Sequence, residues 1–323
     1  MPGSSAESLE MYLFPESAVG TKFSDTLEID QEARRLYMSN NWTGGVDVFD
    51  ISGDRPVHLK TVRIRGLMYG IAIAKPVGKT FVGLGGSMVA VIDIDPDSDK
   101  YHTLLTRIDT GGRGNTDLID FDPVHTKIYA ANRNDGFMVA INAVDDTVVG
   151  RIEGLGGGLE QPRYNPADGM VYLAGNVDNV LYQVDPETDT LVNTFDIVDA
   201  CHPNGMAINP TTNQAILACS NRQHPHAVLW DFATQKVATV IEDCGPGDGA
   251  AYAASVDRFF FAGSDAPGGP SMAIIGGDPV ALIENVPTKD ESGWAAFDDV
   301  SGRLYAPAIQ EGRPALLWFT VAR

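Results

Sequence analysis

An all-β, seven-bladed β-propeller is the fold this sequence predicts, and two observations predict it. One strand–turn–strand pattern returns seven times, at spacings of 44, 48, 43, 44, 44 and 44 residues. Each copy places Asp-Pro, Asn-Pro or a relative between two apolar runs. Ile119-Asp120-Phe121-Asp122-Pro123 leads to Ile128-Tyr129-Ala130-Ala131-Asn132, and Ala207-Ile208-Asn209-Pro210 leads to Ile216-Leu217-Ala218-Cys219. Strand-rich repeats of about 40–50 residues are the blades of a propeller. The second observation is a complementary defect. The last copy has three strands, while Met11-Tyr12-Leu13-Phe14 precedes the first copy without a partner.

The elements follow in order. Residues 1–323 read as one propeller domain, with blades starting near Asp25, Tyr69, Asp117, Glu160, Asn204, Asp248 and Ser292. Blade one runs through Leu36–Met38, Val46–Phe49 and Leu59–Val62, and blade two through Thr80–Val82, Val89–Ile92 and Leu104–Leu105. The third strand of each later blade is an apolar run, as in Phe137–Ile141 and Val180–Val184. Asp185-Pro186-Glu187-Thr188-Asp189 and its relatives reverse the hairpins. Blade seven ends with Leu316–Phe319, and residues 9–14 are expected to supply its fourth strand. That closure removes the exposed sheet edges.

Composition narrows the function. Forty-three acidic against 23 basic residues give a net charge of −20, which disfavours nucleic acid and anionic membrane partners. No apolar run reaches the roughly 18 residues that span a bilayer. Met1–Glu10 has neither a basic segment nor an apolar stretch of signal-peptide type, so a cytoplasmic location is the default expectation. Asn41-Trp42-Thr43 would be a glycosylation acceptor only in a secreted context. The three cysteines, Cys201, Cys219 and Cys244, match no zinc pattern and are expected as reduced, partly buried thiols. There is no Gly-x-Ser-x-Gly elbow, and the glycine-rich stretches 111–114 and 154–158 lead into strands rather than helices, so they are not dinucleotide loops.

Aligning the repeats on the turn after the first strand places Asp25, Tyr69, Asp117, Glu160, Asn204, Asp248 and Ser292 at equivalent positions. They fall where each innermost strand begins, facing the axis. Five of the seven carry carboxylate or carboxamide oxygen. Asp and Asn also begin strands simply because they cap turns. As a set, however, four carboxylates converging on one axis must protonate, bind a cation or stay hydrated. Oxygen-only ligands suit Ca²⁺ or Mg²⁺. A metal would activate water for hydrolysis. Without one, a raised-pKa carboxylic acid would serve as general acid.

Flanking residues extend the candidate site. His202 is the best-placed proton carrier, with Asp117 and Asp25 beside it as catalytic carboxyls. Trp42, Trp294, Tyr69 and Met68 offer an apolar wall for a small-molecule substrate. Asn132, Arg133, Asn176 and Asn221 recur at one point of three blades, where turn formation comes first and ligand contact second. Arg222 and Ser292 complete the substrate-binding set.

Two resemblances bear on this reading. Arg35-Leu36-Tyr37-Met38-Ser39-Asn40 followed by Val46-Asp47-Val48-Phe49-Asp50 resembles the repeats of YVTN, or YncE-like, propellers, over nearly the whole chain. That similarity implies architecture only. Glu160-Gln161-Pro162, Pro203-Asn204-Gly205 and Gly247-Asp248-Gly249 resemble motifs of the gluconolactonase (SMP-30-like) propellers. The resemblance implies that Glu160, Asn204 and Asp248 ligate a divalent metal and that the chemistry is lactone or ester hydrolysis. That family has six blades and a further Asn ligand on an intervening blade, which this chain lacks. In size and style the chain is also similar to cofactor-free cyclases of specialised metabolism, of the hetero-Diels–Alderase kind. A non-catalytic binding scaffold is the third expectation.

Overall fold

The computed structural model describes residues 9–15, 23–263 and 266–322. The stretch 1–8, read above for a targeting signal, lies outside the described residues. Seven four-stranded antiparallel sheets are present; six run from an inner to an outer strand in chain order, and the seventh takes its outer strand from the N-terminal segment. The inner strands are Ser24–Asp30, Met68–Ala74, Thr116–Asp122, Leu159–Asn165, Pro203–Asn209, Ala250–Ala253 and Ala296–Asp298. Two short 3₁₀ turns, Lys75–Val77 and Val198–Ala200, interrupt an otherwise all-β chain. No helix among the described residues is long and apolar enough to cross a membrane.

The repeated Asp/Asn-Pro signature has a local cause. At the end of five of the seven inner strands the residue Asp30, Asp122, Asn165, Asn209 or Asp298 accepts a hydrogen bond from an amide two or three residues on. In all seven blades the hairpin then ends on a residue with φ between +50° and +77°: Arg34, Gly78, Thr126, Gly169, Asn213, Asp257 and Gly302. Only three of those are glycine, so the recurring αL position was masked in the sequence. Its geometry fits a type I turn with a bulge.

The ring closes as expected. Glu10–Leu13 pairs antiparallel with Arg313–Thr320, in the register Glu10↔Trp318 to Leu13↔Ala315. Phe14 follows and is 2% exposed, packing edge-on against Tyr12 and Phe49. The joint is therefore sealed by side chains from blade one as well as by the ladder. Between blades, alternating apolar faces interdigitate. Tyr37, Val46 and Val48 of blade one, for example, pack with Ile71, Val82 and Ala90 of blade two.

Two sequence expectations are corrected. Cys201 and Cys219 form a disulfide, with Cα atoms 4.5 Å apart, and only Cys244 is a free, buried thiol. Pairing of Pro203 opposite Cys219 brings Cys201, two residues upstream, alongside its partner, a proximity that spacing alone does not reveal. Asn41 is 3% exposed and both donates to and accepts from the Met68 backbone, so it serves as a link between blades one and two rather than a glycosylation acceptor.

Candidate functional site

A repeated irregularity aims the axial residues. The inner strand of each of blades one to five has a register shift, between Ser24/Leu27, Met68/Ile71, Thr116/Ile119, Leu159/Pro162 and Pro203/Met206. The residues skipped there include Asp25, Tyr69, Asp117, Glu160 and Asn204. A bulge releases its extra residue from the ladder and redirects the side chain, here toward the channel mouth. In blades six and seven the inner strands begin only at Ala250 and Ala296, so Asp248 and Ser292 precede them.

At the mouth, Arg133 is the central cation. Its Nη1 donates to Asp117 Oδ2 at 2.9 Å, and its Nη2 lies 2.5 Å from Glu160 Oε1. The second contact is an ion pair whose N–H points off the lone pair, since Glu160 Oε1 has no aligned hydrogen bond. Asp117 and Glu160 are buried, at 4% and 1% exposure. Burial raises Glu160 well above the usual carboxylate range; Arg133 opposes this, and Asp117, Asp248 and Asp25 add to it. Asp117 is also raised by burial, against the pull of Arg133. Asp25 is raised well above its ordinary value by burial, then by Asp117 and Asp248. It makes no side-chain hydrogen bond with the described residues. Burial works against the Arg133 guanidinium, but Glu160 and Asp117 outweigh it and hold the charge firmly in place.

Beside this cluster lies a cavity of about 400 Å³ lined by Arg133, Asn176, Asn204, Ser220, Arg222 and Asp248, with Pro246 and Gly247. Asn176 organises one wall. Its Nδ2 lies 2.6 Å from Asn204 Oδ1, 2.8 Å from Ser220 Oγ and 2.9 Å from the His202 carbonyl. Asn204 Nδ2 in turn reaches Asp248 Oδ1 at 3.5 Å. The Ser220 hydroxyl donates to the His202 carbonyl, so no base activates it.

The other sequence candidates separate from this cavity. The His202 ring bonds through Nδ1 to the Asn176 carbonyl and does not line the cavity. Trp294 and Met68 are core side chains, and Trp42 is 5% exposed with its amide on Asn40 Oδ1. Asn132 accepts from Thr116 of its own blade and from Thr110 on the connection from blade two. Asn221 holds its own loop through Gln223 and His224 and donates to the Ala200 carbonyl of the preceding connection. Ser292 is fully buried. Tyr69 stays near the mouth, where burial, Asp117 and Asp25 raise its hydroxyl.

Two features were illegible in the sequence. Gln161 is completely buried and links three blades: its Oε1 accepts from the Met206 and Ala250 amides, and its Nε2 donates to the Ala250 carbonyl. The glycines of the two motif-like segments are packing requirements. A Cβ on Gly205 would sit 1.9 Å from the Asp248 carbonyl oxygen, and one on Gly249 would sit 1.9 Å from Trp294. At the opposite end the channel opens into a cavity of about 650 Å³, where all seven blades contribute and Glu28 faces the Asp120–Arg163 pair. Burial raises Glu28 to about 7; Arg163 lowers it and Asp120 adds to the rise.

Comparison with known proteins places the architecture. No family model matches the chain, and no curated protein matches it. Solved structures do match. The WD40 propeller domain of Doa1 superposes with a TM-score of 0.77 at 10% identity, covering 99% of this chain and 98% of that one. A chain of a mitotic checkpoint complex gives 0.78 at 13%, covering 98% and 92%. The structure of U3-55K gives 0.75 at 11%, covering 97% and 98%. The protein is a seven-bladed β-propeller, similar in fold to these chains. At these identities the likeness carries the fold alone.

Proposed function

We propose that this propeller is a non-catalytic binding protein that takes a small polar molecule at the channel mouth. The observation that carries this reading is the cavity beside Arg133. It presents guanidinium, carboxamide, hydroxyl and carboxylate groups, already oriented by one another, and no nucleophile paired with a base. Such a wall offers donors and acceptors in fixed directions, which suits a compact ligand rich in hydroxyl or carboxylate groups. Propeller chains similar in fold include one from a mitotic checkpoint complex, an assembly, which agrees with a binding role.

The hydrolase reading would put Ca²⁺ or Mg²⁺ among Glu160, Asn204 and Asp248. Those oxygens are already engaged: Arg133 lies on Glu160, and Asn176 bonds Asn204. Among the described residues, no three carboxylates of the ring bring oxygens within 4.8 Å of one another. A cation there would have to displace a guanidinium that already supplies positive charge. The residues therefore do not fit the metal in this arrangement, and no hydrolytic step is derived from it. One observation favours a second reading, cofactor-free acid catalysis. Asp25 is held toward its protonated form at the mouth without a hydrogen-bond partner among the described residues, as a general acid would be.

The test is a thermal-shift screen of hydroxylated and carboxylated metabolites, repeated with Asn204→Ala and Arg222→Ala, alongside elemental analysis of the purified protein. A hit recovered unchanged, whose shift both substitutions remove, supports the binding reading. Turnover of the hit without metal, lost in Asp25→Asn, replaces it with acid catalysis. Stoichiometric Ca²⁺ or Mg²⁺ restores the hydrolase.

A further inference from the structure

We infer that Cys201, Cys219 and His226 form a zinc site when the Cys201–Cys219 disulfide is reduced, so that this end of blade five exchanges a covalent clasp for a metal one. The three ligand atoms lie within 4.8 Å of one another, and all three residues are fully buried. Cys201 stands on the approach to blade five, Cys219 ends its second strand (Gln214–Cys219), and His226 begins its third (His226–Asp231). Pro203 pairs opposite Cys219, which brings Cys201, just outside the ladder, to the same channel-mouth end of the sheet as Cys219 and His226.

The state of His226 is the second, independent observation. Its Nδ1 lies 2.6 Å from the His224 carbonyl oxygen. A carbonyl only accepts, so Nδ1 carries a proton, and in the neutral imidazole Nε2 presents a lone pair. This arrangement also fixes metal-ligating imidazoles in place. Nε2 is buried, and no hydrogen-bond partner exists for it among the described residues. A buried acceptor left without a donor is unfavourable. Disulfide sulfurs have no proton to offer it, so the oxidised form leaves this lone pair unexplained. A cation between the sulfurs and Nε2 satisfies it.

The donor set selects the metal. Two thiolates and one imidazole suit Zn²⁺ and exclude the oxygen-seeking Ca²⁺ and Mg²⁺. Zn–S bonds of about 2.3 Å at a tetrahedral angle require the sulfurs to stand about 3.7 Å apart, a separation that breaking the S–S bond permits. The fourth position is left for water. The exchange balances: a dithiol reductant gives two electrons to the Cys201–Cys219 bond and becomes a disulfide itself. Both cysteines emerge as thiols, and Zn²⁺ displaces their two protons to solvent. The Ser220 amide, next to Cys219, donates to the carbonyls of Cys201 and His202, and the Gly247 amide donates to Cys219. The exchange thus occurs directly behind the Asn176–Asn204–Ser220 wall.

The test reduces the full chain with a phosphine, desalts it without oxygen and titrates it with Co²⁺, a coloured probe of zinc sites. One equivalent should bind with sulfur-to-cobalt charge-transfer absorption and be displaced by Zn²⁺, while the oxidised protein should take none. His226→Gln should weaken binding at least tenfold, Cys219→Ser should abolish the absorption, and Cys244→Ser should leave it unchanged. Circular dichroism of each form reports folding. Reduced, folded protein that binds no Co²⁺ overturns the proposal, as does unfolding on reduction. Absorption that survives Cys219→Ser but disappears with Cys244→Ser overturns it too, by assigning the metal elsewhere.

Discussion

The guanidinium of Arg133 joins Asp117 of its own blade to Glu160 of the next, at 2.9 Å and 2.5 Å. It is the charge that makes an acidic channel mouth tolerable. Removing it with Arg133→Met leaves two buried carboxylates without a counter-ion, a change that destabilises buried pairs by about 3–5 kcal/mol. Arg133 is itself 37% exposed, so about 2–3 kcal/mol is the expected loss at neutral pH after solvent screening. Denaturant unfolding should show that loss shrinking as pH falls and the carboxyls take up protons.

Asp25, Glu160 and Glu28 all have folded-state pKa values raised above the unfolded ones. Groups of this kind release their protons at higher pH in the folded chain than in the unfolded one. Their contribution is therefore fully present below the unfolded values and is lost as pH rises through the folded ones. For Glu28 the window runs from its ordinary value of 4.5 to about 7. Stability should fall across that interval, and Glu28→Gln should flatten the fall by about 1–3 kcal/mol. A wild-type curve that rises between pH 5 and pH 8 would contradict the protonation scheme.

Gly205→Ala and Gly249→Ala should each destabilise by about 1–3 kcal/mol or more, because the added methyl meets backbone or an indole at 1.9 Å. Gly157→Ala is the control, since nothing lies within 4 Å of its position. Equal melting temperatures for all three would show that blade packing near Asp248 can relax.

Phe14→Ala tests the closure. The side chain is 2% exposed among Tyr12, Phe49 and Leu316, so its loss should cost about 3–5 kcal/mol. It should also loosen the Glu10–Leu13 strand, and hydrogen exchange at the Ala315–Leu317 amides should accelerate more than at blade four.

The sequence carried the architecture because propeller periodicity is a backbone property, written in turns such as Asp122-Pro123 and in apolar runs such as Ile128–Ala131. The axial set was legible for the same reason. Asp25, Asp117, Glu160, Asn204 and Asp248 fall at equivalent points of equivalent repeats. What each residue touches was not legible. Arg133 looked like one of several turn residues, and only the bulge at Asp117 and Glu160 brings it between two carboxylates. Gln161 read as the middle of a motif, although its contacts are with Met206 and Ala250, 45 and 89 residues away. The tryptophans were expected at a pocket wall. Trp294 instead packs against Gly249, because an indole that large fills the space between blades. Cys201 and Cys219 gave no warning of their bond, which depends on the register of one hairpin.

Gln161 has a mechanical consequence. One amide group pins three consecutive blades together at the axis, so none of the three can tilt outward without breaking a buried hydrogen bond. The aperture beside Arg133 is a fixed frame rather than a jaw. A guest must enter already shaped to it, and little protein entropy is lost when it does.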